Sequence, residues 1–278
     1  MKLIPISDIH VDFLEARGGK HPLRADGIQA LFPQIEGDGE DQVVCACGDV
    51  GEGLLGCVYL QRLLSMYPKL HVVYVPGNHE FYSHNYDRLI EQFKLVNRTG
   101  ERLHVLDGTY DVIAIVNDVA FVGGTLWTNF NNNDDNAKFA AGRSMNDFKA
   151  ITSGFKNANL FSPARVVQEH HICRNNIKFG LTKVARQFEK RVVLTHHKPY
   201  LDEVQQDLVT FAYESDAINH VLADDDSIAP QYWFYGHTHK SDYKRFPTTN
   251  KIVEIVANPV GYPTEHHNPY RTECVLEI

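Results

Sequence analysis

Leu70-His71-Val72-Val73-Tyr74-Val75-Pro76-Gly77-Asn78-His79-Glu80 joins a run of apolar, β-branched residues to a polar cluster. The apolar half has the composition of a strand buried on both faces. Pro76 and Gly77 stop that strand and turn the chain. An amide and an imidazole are thereby presented at a strand's C-terminal end, the edge where ligands bind in open α/β sheets. Taken alone, Asn78 or His79 could equally cap a helix expected to begin near Ser83.

Other expected strand ends carry side chains of the same kind. A strand over residues 3–7 runs into Asp8 and His10, which share one face if the segment is extended. A strand over 42–46 leads to Asp49, where Gly48 and Gly51 allow close backbone approach. His196 and His197 follow the run 192–195, and His237 and His239 follow Trp233-Phe234-Tyr235-Gly236. Each has a plain alternative as a cap, a turn residue or a loop histidine. Five strand ends of metal-ligand type are hard to obtain from caps and turns. Oxygen and imidazole donors together suit Mn²⁺, Fe or Zn²⁺, and there are too many for one tetrahedral site.

The rest of the chain supplies a frame for those ends. Helices are expected over 25–31, 54–66 and 86–96, between the first strands. Such alternation implies parallel strands covered by helices. Asn117-Asp118 between 112–116 and 119–123 signals a hairpin. Residues 125–162 read as an inserted cap of loops and helices, with Trp127, Phe130, Phe139, Phe148 and Phe155 as packing material. A helix over 163–188 opens with Pro at its first turn. Then follow a strand 191–195, a helix 215–222, and strands 232–235, 242–246, 252–256 and 272–278. No repeat and no linker appears, so residues 1–278 are expected to form a single domain.

Composition narrows the function classes. The formal charge of −8 over 278 residues argues against extended nucleic-acid or membrane-surface binding. Fifteen histidines, several in pairs or beside Asp, point towards metal. Cys45, Cys47, Cys57, Cys173 and Cys274 follow no disulfide framework. Cys45 and Cys47 are expected as small core residues. Without a signal-peptide pattern or a run long enough to span a bilayer, a cytoplasmic setting is the expectation.

The blocks Asp8-x-His10, Gly48-Asp49, Gly77-Asn78-His79-Glu80, His196 and Gly236-His237-x-His239, in that order, resemble the calcineurin-like metallophosphoesterases. The resemblance implies an α/β fold, a four-layer α/β/β/α sandwich of two mixed β-sheets flanked by helices. It also implies a dinuclear centre of divalent or trivalent ions, manganese first, with iron, zinc, nickel or cobalt as alternatives. One ion would be held by Asp8, His10, Asp49 and His239. The other would be held by Asp49, Asn78, His196 and His237, with Asp49 bridging. The implied chemistry is attack of an ion-activated hydroxide on a phosphate ester. His79 would be the general acid, paired with Glu52, which stands one methylene longer than the family's usual carboxylate.

Further readings rest on the same resemblance. Gly53 replaces the Arg of the phosphoprotein-phosphatase branch, which argues against a Ser/Thr protein phosphatase. The blocks 126–130, 145–148 and 195–199 look like a bacterial or phage subgroup. The His-x-x-Pro arrangement favours His196 over His197 as ligand, leaving His197 and Asn78 as candidate substrate contacts. Arg143 is a candidate phosphate grip, or else a surface residue of a helix. The loop 259–263 is expected near the ions or explained by packing; His170-His171 and His266-His267 follow no strand and are expected at the surface. The expected function is a phosphatase or phosphodiesterase acting on a phosphomonoester or small phosphodiester. Two alternatives are a nuclease acting on nucleic-acid ends and a non-catalytic scaffold of the same fold.

Overall fold

The computed structural model describes all residues except 15–22, 204–206, 250, 263 and 266–269. The polar segment after residue 14, the pair His266-His267 and Pro263 therefore lie outside the described residues.

The strands are β1 (Lys2–Ile6), β2 (Gln42–Cys47), β3 (His71–Val75), β4 (Leu103–Val105), β5 (Ile113–Val116), β6 (Val119–Gly124), β7 (Thr152–Ser153), β8 (Asn159–Leu160), β9 (Lys190–Thr195), β10 (Tyr232–Tyr235), β11 (Asp242–Pro247), β12 (Ile252–Ala257) and β13 (Leu276–Glu277). One sheet has the order β13-β1-β2-β3-β4 and the other β11-β12-β10-β9-β6-β5. In the first, β1 to β4 are parallel and β13 is antiparallel. In the second, β12, β10, β9 and β6 are parallel, with antiparallel β11 and β5 at its edges.

Period-two alternation explains how the sheets stack. Val43, Cys45 and Cys47 point inward and meet Phe121, Val192, Leu194 and Phe234 of the other sheet. Val44 and Ala46, between them, face Tyr59, Leu60 and Leu63 of the helix Leu55–Met66. The second sheet turns Val122, Val193 and Trp233 outward, against Ile177 and Leu181 of the helix Pro163–Val184. Four layers result, helix, sheet, sheet and helix, as the resemblance implied. Each fully buried side chain of this kind contributes about 1.5–3 kcal/mol. No helix among the described residues is long and apolar enough to cross a membrane.

Several boundaries depart from the sequence reading. The strand β4 was not expected, and the last strand is confined to Leu276–Glu277 because the chain turns just before it. The long helix ends at Val184. Residues 125–162 contain the helices Phe130–Asn133, Asp135–Ser144 and Asp147–Ala150 and the β7-β8 hairpin. Trp127, Phe130 and Phe148 enter the apolar cluster beside the first sheet, so this segment is packed into the core. Phe139 and Phe155 do not: they are 68% and 81% exposed, on the outer side of their elements. His170 is likewise not at the surface. It is fully buried, and its Nδ1 lies 3.1 Å from the Leu126 carbonyl, while His171 is exposed.

Candidate metal centre

The C-terminal ends of β1, β2, β3, β9 and β10 bring their polar residues together, but not by extended alternation. Asp8 and His10 have φ of 54° and 48°, Asp49 52°, and His237 and His239 69° and 49°. Non-glycine residues in this left-handed region carry about 1–2 kcal/mol of strain each, and such strain persists only where the surroundings impose it. Here a backbone ladder does so: Asp8 donates to the Gly48 carbonyl (3.0 Å), His10 to that of Asp49 (2.9 Å) and Val11 to that of Val50 (2.9 Å).

Glu80 fastens the next pair of turns. Its buried carboxylate accepts the backbone N–H groups of Asp49 (3.0 Å), Val50 (2.6 Å), Gly51 (3.2 Å) and Gly77 (2.6 Å). Burial, then repulsion from Asp49, raises its pKa to about 7. Gly77 is required by proximity, since a Cβ there would lie 2.1 Å from Asp49 Oδ1. Gly48 combines φ +83° with a Cβ position 2.4 Å from His196 Nδ1.

Two groups of candidate ligand atoms result. Asp8, His10, Asp49 and His239 form one, and Asp49, His196 and His237 the other, with the atoms of each within 4.8 Å of one another. His239 Nε2 lies 3.2 Å from His10 Nε2 and 3.4 Å from Asp8 Oδ1. His196 Nε2 lies 3.4 Å from Asp49 Oδ1 and 2.9 Å from Asn78 Oδ1. His237 Nε2 is buried with no hydrogen-bond partner among the described residues. A buried nitrogen without a partner is costly, and a cation shared with Asp49 and His196 would complete it. The donor set fits two ions.

The protonation states support that fit. Burial works against it, but the imidazoles of His196, His79 and His10 hold the Asp49 carboxyl well below the usual carboxylate range. Burial pushes His10 down to about 4 and His237 well down, so both are neutral donors at pH 7. His196 is buried and His239 half-buried, which lowers both, yet Asp49 and Asp8 respectively raise each to about 9. In the metal-free chain two imidazoliums thus offset two carboxylates, and protons stand where cations would act.

The surrounding side chains set orientations. His196 Nδ1 is 2.8 Å from the Cys47 carbonyl, and His239 Nδ1 donates to Glu265 at 2.8 Å. His79 places Nε2 2.7 Å from the Tyr262 hydroxyl, while its Nδ1 is buried without a hydrogen-bond partner among the described residues. No hydrogen bond joins it to Glu52 among the described residues. Glu52 instead neighbours Asp12, and its pKa is raised by burial and then by that second carboxylate. His197 lies behind His237, with ring centroids 4.2 Å apart and Nδ1 3.2 Å from the Thr125 carbonyl. It is His196, not His197, that groups with Asp49 and His237. Arg143 is exposed, over the Phe139 ring, and does not line the site cavity.

That cavity, of about 760 Å³, opens over Asp49, Asn78, His79, His237 and His239. Ser144, Met145 and Asn146 of the 125–162 segment line it, as do Tyr213, Tyr262 and Lys198. Sequence reasoning gave no role to Glu80, Asp147, Tyr262 or Glu265. The first two lay inside blocks already singled out, and Tyr262 inside the flagged loop; nothing in the sequence marked Glu265.

The sequence matches the model of the calcineurin-like phosphoesterase family over residues 1–241. A protein of Acanthamoeba polyphaga mimivirus described as uncharacterised is 25% identical, covering 95% of this chain and 93% of its own. Among solved structures, the phosphopantetheinyl hydrolase of Mycobacterium tuberculosis is similar in fold, with a TM-score of 0.59 at 16% identity over 94% of this chain and 90% of that one.

Proposed function

We propose, for a chain that belongs to the calcineurin-like phosphoesterase family, hydrolysis of a phosphomonoester or small phosphodiester at a dinuclear metal centre. The observation that carries this reading is Asp49, shared between two clusters of candidate ligands. Asp8, His10, Asp49 and His239 would hold one ion, and Asp49, Asn78, His196 and His237 the other; manganese suits this oxygen-rich, imidazole-rich set. When bound, two such ions lower the pKa of a water and neutralise charge on phosphoryl oxygens.

The chain's own residues do the rest. His79 borders the cavity beside Asp49 and would hand a proton from Nε2 to the leaving oxygen. The Tyr262 hydroxyl, 2.7 Å away, is in place to hold that nitrogen's hydrogen bond until substrate arrives. Glu52 and Asp12 stand near the imidazole with no hydrogen bond to it among the described residues, so the acid would work without the hydrogen-bonded dyad. Asn78, on the cavity wall, would serve as a ligand through Oδ1; Asp147 and Tyr82 take its two Nδ2 hydrogens, which leaves none for a phosphate oxygen. His197, walled off behind His237, would shape the centre from behind and leave substrate to others. Arg143 does not line the cavity, and Lys198 and Lys240 are the lysines at its wall among the described residues.

The cavity's size suits a small ester, and its wall mixes Lys198 with Asp202, Glu214 and Asp242. Such a wall lacks the basic stripe a nucleic-acid strand requires. The buried free thiols of Cys45, Cys47, Cys57 and Cys173 suit a reducing, cytoplasmic setting. The test is hydrolysis of a chromogenic aryl phosphate and a bis-aryl phosphate with Mn²⁺. Turnover that disappears in Asp49→Asn is expected, and no turnover with any common divalent ion would overturn the proposal.

A further inference from the structure

We propose that Asp147, from the inserted segment, is the positioning residue that aims the Asn78 carbonyl oxygen at the second ion; this rests on the phosphoesterase reading above.

The amide of Asn78 has two donor hydrogens and one acceptor oxygen, and either end could face the site. Asp147 removes the ambiguity. Its carboxylate only accepts, and its Oδ1 takes a hydrogen from Asn78 Nδ2 at 2.8 Å. The Tyr82 hydroxyl takes the other at 3.2 Å. With both Nδ2 hydrogens engaged on that side, Oδ1 is turned to His196 Nε2, 2.9 Å away, on the side where Asp49 and His237 gather. A flipped amide would set its NH₂ against that cluster and leave two carbonyl-type oxygens facing each other.

Asp147 is an expensive residue to place there for structure alone. It is 4% exposed, and no Lys or Arg pairs with it among the described residues. A buried carboxylate without a cation is costly to place and is offset only by its hydrogen bonds. Its position is also firmly held. Asp147 begins the helix Asp147–Ala150, whose Phe148 packs in the core, and Ser83 donates to the Ala150 carbonyl at 2.9 Å. Thr152 donates in turn to the His84 carbonyl at 3.0 Å. The insertion is therefore stitched to the turn that follows Asn78, and any shift of its helix moves Asp147 and the amide together.

The experiment titrates metal-free full-length wild type, Asp147→Ala and Asp147→Asn with Mn²⁺, following occupancy by electron paramagnetic resonance and stability by thermal unfolding without metal. Wild type is expected to take two ions with a spin-coupled spectrum. Asp147→Ala should weaken the second ion by about 10–100-fold, the usual cost of losing a carboxylate behind a ligand, with the first ion's affinity unchanged and an uncoupled spectrum. Asp147→Asn keeps one acceptor oxygen and should recover most of the loss. Wild-type coupling in Asp147→Ala, equal weakening at both ions, or no recovery in Asp147→Asn would overturn the assignment while leaving the phosphoesterase reading intact. A wild type that binds fewer than two ions and turns over nothing would overturn both.

Discussion

His239 donates through Nδ1 to Glu265 at 2.8 Å, which leaves its Nε2 directed at Asp8 and His10. A carboxylate behind a ligating imidazole fixes the tautomer and raises the basicity of the opposite nitrogen. Glu265→Ala should therefore lower affinity for the ion of the Asp8 set by about tenfold, the low end of such effects because the carboxylate is exposed. A fluorescent chelator competing for Mn²⁺ measures it. Unchanged affinity would mean that the contact is only a surface ion pair.

Glu80 accepts four backbone N–H groups from two turns. Removing its carboxylate leaves buried donors unpaired, each at a cost of about 1–3 kcal/mol. Glu80→Ala should lose at least about 3 kcal/mol of stability, read from urea unfolding of the metal-free protein. Glu80→Gln should be intermediate, because it keeps one oxygen and introduces a donor among donors.

His79 is proposed as proton donor and not as ligand. His79→Ala should bind both ions normally and lose about 10²–10⁴-fold in kcat on alkyl phosphates. The loss should be far smaller on p-nitrophenyl phosphate, whose leaving group needs no proton. Tyr262→Phe should follow the same pattern more weakly, since the hydroxyl is hydrogen-bonded to the donor nitrogen and transfers no proton itself. Equal losses across leaving groups would remove His79 from the proton transfer.

Acid should oppose metal loading in a defined window. His196 and His239 are raised to about 9 in the metal-free chain by Asp49 and Asp8, against the opposing effect of burial. Their folded pKa exceeds the unfolded value near 6.5, so their contribution to stability is complete below pH 6.5 and declines as pH rises to 9. Ions compete with those same protons. Mn²⁺ affinity should therefore climb through this window, by roughly tenfold per pH unit for each proton released. Calorimetry in buffers of different ionisation enthalpy counts the protons; zero release at pH 7 would contradict both shifts.

Asp8, Asp49, Asn78, His196 and the 237–239 pair were legible as a group because strand ends are easy to find and their residue types are unusual there. The reason first given for Asp8 and His10 sharing a face was wrong, since left-handed turns and not alternation unite them. Asp and His are enriched at positive φ, but residue type alone does not tell a left-handed turn from an extended segment. The helices of 125–162 were expected only as a group, and Phe139 and Arg143 misled because an exposed aromatic under a guanidinium reads the same as a buried one. Asp147 and Glu265 act across 69 and 26 residues of chain, on Asn78 and His239. Pairings that distant arise only once the sheets have stacked. The three-residue separation of Gly77 and Glu80 hid the reverse case: Glu80 looked like a companion of His79, yet its bonds tie the turn at Asp49 to the turn at Gly77.

The bent turns at Asp8 and Asp49 are held by the ladder and by Glu80, and the turn at His237 by its N–H on the Asp8 carboxylate. Bonds within the chain itself hold these turns, so an arriving ion should spend little of its affinity on moulding loops. Heat resistance should then track free Mn²⁺ through simple saturation, gaining about 2.7 kcal/mol at a hundredfold excess over Kd. The protein would keep its shape through metal starvation and regain full occupancy without refolding.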